Sequence, residues 1–332
     1  MNDSIHLNID DAAFWSDPWV NLGERVTQLV LEGTPALAFA APGRVDLRHR
    51  DTLPVAVLYV APRKDTYEFR FENIALVAAT RLEDGATFVG RPFEWAAFAR
   101  IEGEPPPGFV GAKHTAELRQ ALDLPWRPAT YQVWLLFRDQ QTKPVRVSVE
   151  HTASFEDPEV KKFLEAAALP EPAPPWPAQA DPFPTFRPTA GSPPLPERGI
   201  ALAADRVVVV KKGAVAAVRG SFRLPVARLN VVRHPEGPGP HPTAIVRVTL
   251  VITGSEEVGP LVIPLRVPTF DPIPKDAADA LVTGHFAVDL NAWPDKLGAG
   301  QTLFVRAFAA GETAGPALMG LVPEDGLPGR GL

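Results

Sequence analysis

Proline is the feature that most narrows what this chain can become. There are 38 prolines and 25 glycines among its 332 residues. Each proline fixes φ and removes a backbone donor, which breaks long helices and central strand ladders alike. The residue must therefore sit in turns, at strand edges and in linkers, an arrangement that favours short strands over helices. The densest run is 170–196, with 11 prolines in 27 positions. Such a stretch forms neither a helix nor a central strand and tends toward extended polyproline conformations. Trp176, Phe183 and Phe186 interrupt it. Their apolar surface is costly to leave in water, so the linker is expected to lie partly against a domain surface. Just upstream, Asp157-Pro158-Glu159 followed by Val160, Phe163, Leu164 and Ala168 predicts a short helix.

On either side of this run the pattern is that of strands. Val55–Val60 is an apolar run between Pro54 and Pro62, and Tyr67, Phe69 and Phe71 alternate with Glu68 and Arg70. Tyr131–Phe137, a polar turn, and the alternating Val145, Val147 and Val149 read as a hairpin. Lys113–Leu122 fits a short helix or a connecting strand equally well. Downstream, Val207–Val210, Val215–Leu224, Ile245–Ile252, Leu261–Val267, His285–Leu290, Leu303–Phe308 and Leu318–Val322 repeat the grammar. Strands every 10–20 residues or so, divided by Gly, Pro and Asp turns, predict two tandem antiparallel β-sandwich domains of immunoglobulin-like architecture. The expected division is an N-terminal β-rich domain at 1–167, a proline-rich linker at 168–198 and a C-terminal sandwich at 199–332.

A faint repeat links the two halves. At an offset of about 172 residues, the 131–137/145–149 hairpin aligns with 303–308/318–322, and Glu117-Leu118 aligns with Asp289-Leu290.

Charge and composition exclude some functions. The net charge is −6, and 45% of residues are hydrophobic, as in globular domains. Residues 1–167 carry 18 basic and 24 acidic side chains, against 13 and 12 in 199–332. Neither half has the strongly basic character of a nucleic-acid binder. No run reaches the roughly 20 apolar residues that span a bilayer, and the first residues lack the plan of a secretory leader. A cytoplasmic location is the expectation, with leaderless export left open. Cysteine is absent, which excludes disulfides, thiolate metal sites and cysteine nucleophiles.

No phosphate-binding, dinucleotide, nucleophile-elbow or zinc-protease motif occurs, and no cofactor is expected. Gly298 and Gly300 precede a strand and read as a turn. His234 and His241 flank a Pro/Gly loop with Glu236 between them. Two imidazoles could fold onto a zinc or copper ion there, although the spacing matches no strong metal signature and an exposed loop explains it as well. Between Arg206 and Arg233 lie seven basic residues and no acid. Arg219 and Arg223 share strand parity, and with Arg228 they could form a docking face for an acidic partner, or simply protect an edge strand. Trp15 and Trp19 are a second candidate partner-binding pair, with core packing as their plainer role. The reading that results is a non-catalytic interaction, accessory or structural protein that binds a protein partner or a second copy. The alternatives are a metal-dependent or hydrolytic enzyme with a dispersed site, and a carbohydrate-binding protein using exposed tryptophans.

Overall fold

The structure is a computed structural model. It describes residues 5–8, 36–48, 52–62, 74–91, 109–125, 127–151, 184–210, 215–226, 230–231, 243–254, 259–273, 280–293, 297–298 and 300–323. These residues are mainly β, and their helical elements are single turns. No helix among them is long and apolar enough to cross a membrane. The chain divides into two compact units. One comprises Met1–Glu68, Pro92–Trp134 and Thr142–Pro182, and the other Phe69–Arg91, Leu135–Gln141 and Phe183–Leu332.

In the first unit, β1 (Ile5–Asn8), β2 (Ala36–Ala41), β4 (Pro54–Pro62) and β7 (Phe109–Glu117) form a sheet in that order. A second sheet places β3 (Arg44–Asp46) beside β10 (Val145–Glu150) and β10 beside β8 (Ala129–Phe137). β3 runs parallel to β10, whereas β10 and β8 are antiparallel, which is the hairpin expected from the sequence. Val145, Val147 and Val149 are buried while Arg146 is exposed, the period-2 signature of one wet face. Trp134 and Tyr131 are buried, and the Tyr131 hydroxyl donates to the Pro125 carbonyl at 3.3 Å. The stretch 113–122, ambiguous in sequence, is both things in turn. β7 ends at Glu117 and a helical turn α1 (Leu118–Ala121) follows.

In the second unit, β11 (Gly199–Ala204), β13 (Ala217–Pro225) and β17 (Leu281–Asp289) form a three-stranded sheet in that order. The larger sheet runs β12 (Val207–Val210), β19 (Glu312–Pro323), β18 (Thr302–Ala309), β15 (Ala244–Thr253) and the two-residue β14 (Asn230–Val231), with β16 (Leu261–Thr269) along the far edge of β15. Apolar side chains of both sheets meet in one core that includes Val218, Phe222, Val248, Leu250, Phe286 and Val305. Two Phe–Gly pairs across β13 and β17 close the smaller sheet. Phe286 lies over Gly220 and Phe222 over Gly284, so that a Cβ on either glycine would meet the ring at 2.1–2.2 Å. The unit also holds the hairpin β5 (Leu76–Arg81) with β6 (Thr87–Gly90), and the end of β8 with the two-residue strand β9 (Gln140–Gln141).

The repeat in the sequence has a structural counterpart. The orders β2-β4-β7 and β3-β10-β8 recur as β11-β13-β17 and β12-β19-β18, and β12 is parallel to β19 as β3 is to β10. The corner residues repeat as well. Glu117 accepts from the Leu53 N–H at 2.7 Å, and the Leu118 N–H returns a bond to the Leu53 carbonyl at 2.9 Å. Asp289 accepts from the Ala216 N–H at 3.0 Å, and the Leu290 N–H bonds the Ala216 carbonyl at 2.9 Å. The hairpin turns match too, with Arg138 and Ala310 both at positive φ, 50° and 48°.

Candidate functional site

Strand alternation decides which side chains of β13 face outward. Val218, Phe222 and Leu224 point into the core, so Arg219, Ser221 and Arg223 share the opposite face. Arg219 and Arg223 do therefore lie on one face, as their parity predicts. For Arg219 and Arg223 edge protection is not the explanation, because β13 is the middle strand of its sheet, between β11 and β17. Across the ladder Ser221 faces His285, and Arg223 faces Thr283.

This face is partly roofed by the proline-rich chain itself. Thr185 exchanges two backbone hydrogen bonds with Ala287, at 2.8 and 3.0 Å, on the edge of β17 away from β13. Phe186 packs against the core. A turn closed by Thr189 and Ser192 then brings Gly191, with φ +82°, against the Arg219 guanidinium. The Ser221 hydroxyl donates to the Pro194 carbonyl at 2.8 Å. The linker's expected attachment to a surface thus holds for residues 184–198, and residues 168–183, with Trp176 and Phe183, lie outside the described residues. Arg219 is 19% exposed and bonds Asp205 at 2.7 Å, and the other oxygen of that carboxylate takes the Ala217 N–H at 2.9 Å. His285 Nδ1 has no hydrogen-bond partner among the described residues, and burial pushes the His285 pKa below its ordinary value.

Two further arginine clusters fix hairpin turns in the second unit. Asp84, in the β5–β6 turn, is held by Arg81 at 2.8 Å from Nε to Oδ1, by the Ala86 N–H at 3.1 Å, and by Arg247 of β15 at 3.5 Å. Burial acts to raise the Asp84 pKa. The hydrogen bonds from Arg81 and Ala86 and the charges of Arg81 and Arg247 outweigh it and leave the carboxyl below its ordinary value. Arg306, on β18, is fully buried. Its Nη2 donates to the carbonyls of Arg138 and, at 3.0 Å, Gln140. Burial pushes its pKa down to about 10, with Asp139 acting the other way, so the guanidinium stays charged at neutral pH. In the same turn Gln141 Nε2 donates to Thr313 Oγ1 at 3.4 Å.

The remaining sequence candidates fall elsewhere. Trp15, Trp19, Arg228, His234 and His241 lie outside the described residues. Among the described residues no group of three or more His, Asp or Glu side chains could hold a metal. A pit of about 10 Å³ lined by Ile252, Leu261, Leu297 and Leu303, with Gln301 at its wall, has room for about one water. Sequence reasoning passed over Arg306, Arg81 and Asp205. Arg306 carried a usable signal, a lone cation within the apolar run Leu303–Phe308. Asp205 sits one residue before the acid-free stretch that drew attention to Arg219.

No protein-family model and no curated protein matches this chain. A solved structure described as a biofilm associated protein, BSP domain, is matched at 7% identity and a TM-score of 0.15. The match covers 85% of this chain and 57% of the other.

Proposed function

We propose that this chain is a non-catalytic interaction or structural module of two tandem antiparallel β-sandwich domains, immunoglobulin-like in architecture, joined by the proline-rich stretch. The architectural part is supported by the recurring strand order and by the Tyr131–Pro125 bond, which has the form of the tyrosine corner of such domains. The functional part is supported chiefly by what the ionic side chains do. Glu117, Asp289, Asp84, Arg306 and the Arg219–Asp205 pair each tie one stretch of backbone to another. That is the chemistry of a scaffold, in which polar groups hold surfaces in register for recognition. The proposed partner-binding residues are Arg219, Arg223 and Arg228 together with Trp15 and Trp19, and the proposed partner is a protein with an acidic face.

The test is co-purification at low salt of the parent and of Arg223→Glu, a change on the outer face that leaves Arg219–Asp205 intact. A stoichiometric protein retained by the parent, released by salt and lost in the variant is the expected result. Stoichiometric zinc or copper in the purified chain, with no such partner, would overturn the reading. Limited digestion with a broad-specificity protease should cut first between Pro170 and Arg198 and leave two resistant fragments.

A further inference from the structure

The two edges of the larger sheet in the second unit are finished differently. Along β16, Pro264 and Pro268 have no N–H to offer β15, so their backbone nitrogens face away from the sheet, at the same parity as Val262 and Arg266. Of these four outward positions two lack a donor and a third carries a cation, the usual defence of an edge. β12, at the opposite edge, is Val207–Val210 with neither proline nor charge. The Gly320 N–H donates to the Arg206 carbonyl at 2.9 Å. A strand bonds a parallel neighbour through alternate residues. Arg206 and Val208 therefore turn their backbone groups to β19, and Val207 and Val209 turn theirs outward, where no strand lies among the described residues. Val207 is 65% exposed, and Leu318, two residues before its partner Gly320, is 52% exposed. A bare edge beside an apolar face is suited to strand addition.

Charge selects what is added. In sequence β12 is flanked by Arg206 and by Lys211 and Lys212, so antiparallel pairing of β12 with itself would bring cations together. A strand flanked by acids and apolar at alternate positions fits instead, and the chain contains one in Ile5-His6-Leu7-Asn8. β1 has Asp3 before it and Asp10 and Asp11 after it in sequence, and it is the outermost strand in the order β1-β2-β4-β7. We propose that β12 of one copy pairs edge to edge with β1 of a second copy. The two surfaces differ, so the contact is heterologous and repeats head to tail into a ring or an open chain. The proposal rests on the interaction-module reading but not on its Arg219–Arg223 face. A chain that stays monomeric overturns the proposal and leaves partner capture through that face standing.

Sedimentation velocity of the full chain, across a wide concentration range at low and high salt, tests it. Assemblies should grow with concentration, with association weakened by about tenfold or more at high salt. Val209→Pro removes an outward N–H while sparing the β12–β19 bonds, and should give a monomer that unfolds thermally like the parent. Lys211→Asp with Lys212→Asp should weaken assembly, and mixing that variant with Asp10→Lys/Asp11→Lys should restore it. If Val209→Pro fails to fold, a synthetic peptide of residues 3–11 should dissociate parent assemblies. A monomer under every condition, assembly untouched by a folded Val209→Pro, no rescue by the charge swap, or an inert peptide would each overturn the proposal.

Discussion

Arg306→Ala should destabilise the second unit by about 2–4 kcal/mol. The guanidinium is fully buried and donates to the carbonyls of Arg138 and Gln140, the two residues that flank Asp139 in the β8–β9 turn. Truncation leaves both carbonyls short of a donor, at about 1–3 kcal/mol each. It also removes the packed three-carbon stem. Against these losses stands relief from burying a charge, a penalty of several kcal/mol that ordinary attraction to carbonyls and to Asp139 only partly offsets. Arg306→Met separates the terms, because it keeps much of the stem and discards the charge. It should lie closer to the parent than Ala does, by about 1–2 kcal/mol, and could exceed the parent if desolvation dominates. Urea unfolding monitored by tryptophan fluorescence gives the numbers, read as a shift in midpoint at constant slope. Amide exchange at Gln140 and Gln141 should accelerate in the Ala variant as the turn loses its anchor. Arg306→Ala within about 0.5 kcal/mol of the parent would refute the argument, since that is the range of an unremarkable surface substitution.

Three other outcomes follow from the same structure. Gly284→Ala should cost about 1–3 kcal/mol or more, because its Cβ would enter the Phe222 ring, and Phe222→Leu in the same chain should recover part of the loss; thermal unfolding of the single and double variants decides it. Asp84 has a folded-state pKa below its unfolded value of about 3.9, so its contribution is present above that pH and is lost as pH falls through the folded value. Asp84→Asn should therefore be less stable than the parent at neutral pH and flatten the acid limb of stability against pH below about 4. Asp289→Ala and Glu117→Ala should each cost about 0.5–2 kcal/mol, as loss of a capping acceptor does, and by similar amounts if the two corners are equivalent; chemical denaturation of both variants compares them directly.

What the sequence determined by itself was the periodic part of the architecture. Proline density ruled out long helices, and alternation at Val145–Val149 and the apolar run Ile245–Ile252 marked strands at their observed positions, because side-chain parity is a local property of extended backbone. The Glu117-Leu118 and Asp289-Leu290 echoes were legible for the same reason, as each acid caps the turn that follows it. Beyond the β8–β10 hairpin, the tertiary structure alone decided which strand lies beside which. That pairing put Arg219 and Arg223 on a middle strand, laid residues 184–198 across their face, and left β12 bare while prolines finished β16. It also buried Arg306 under a turn distant in sequence, at a position local pattern marks only as a stray charge in a strand. Pairing and burial depend on contacts between residues far apart in the chain, whose loop-closure entropy is offset only once the whole sheet assembles, so no local window of the sequence contains them.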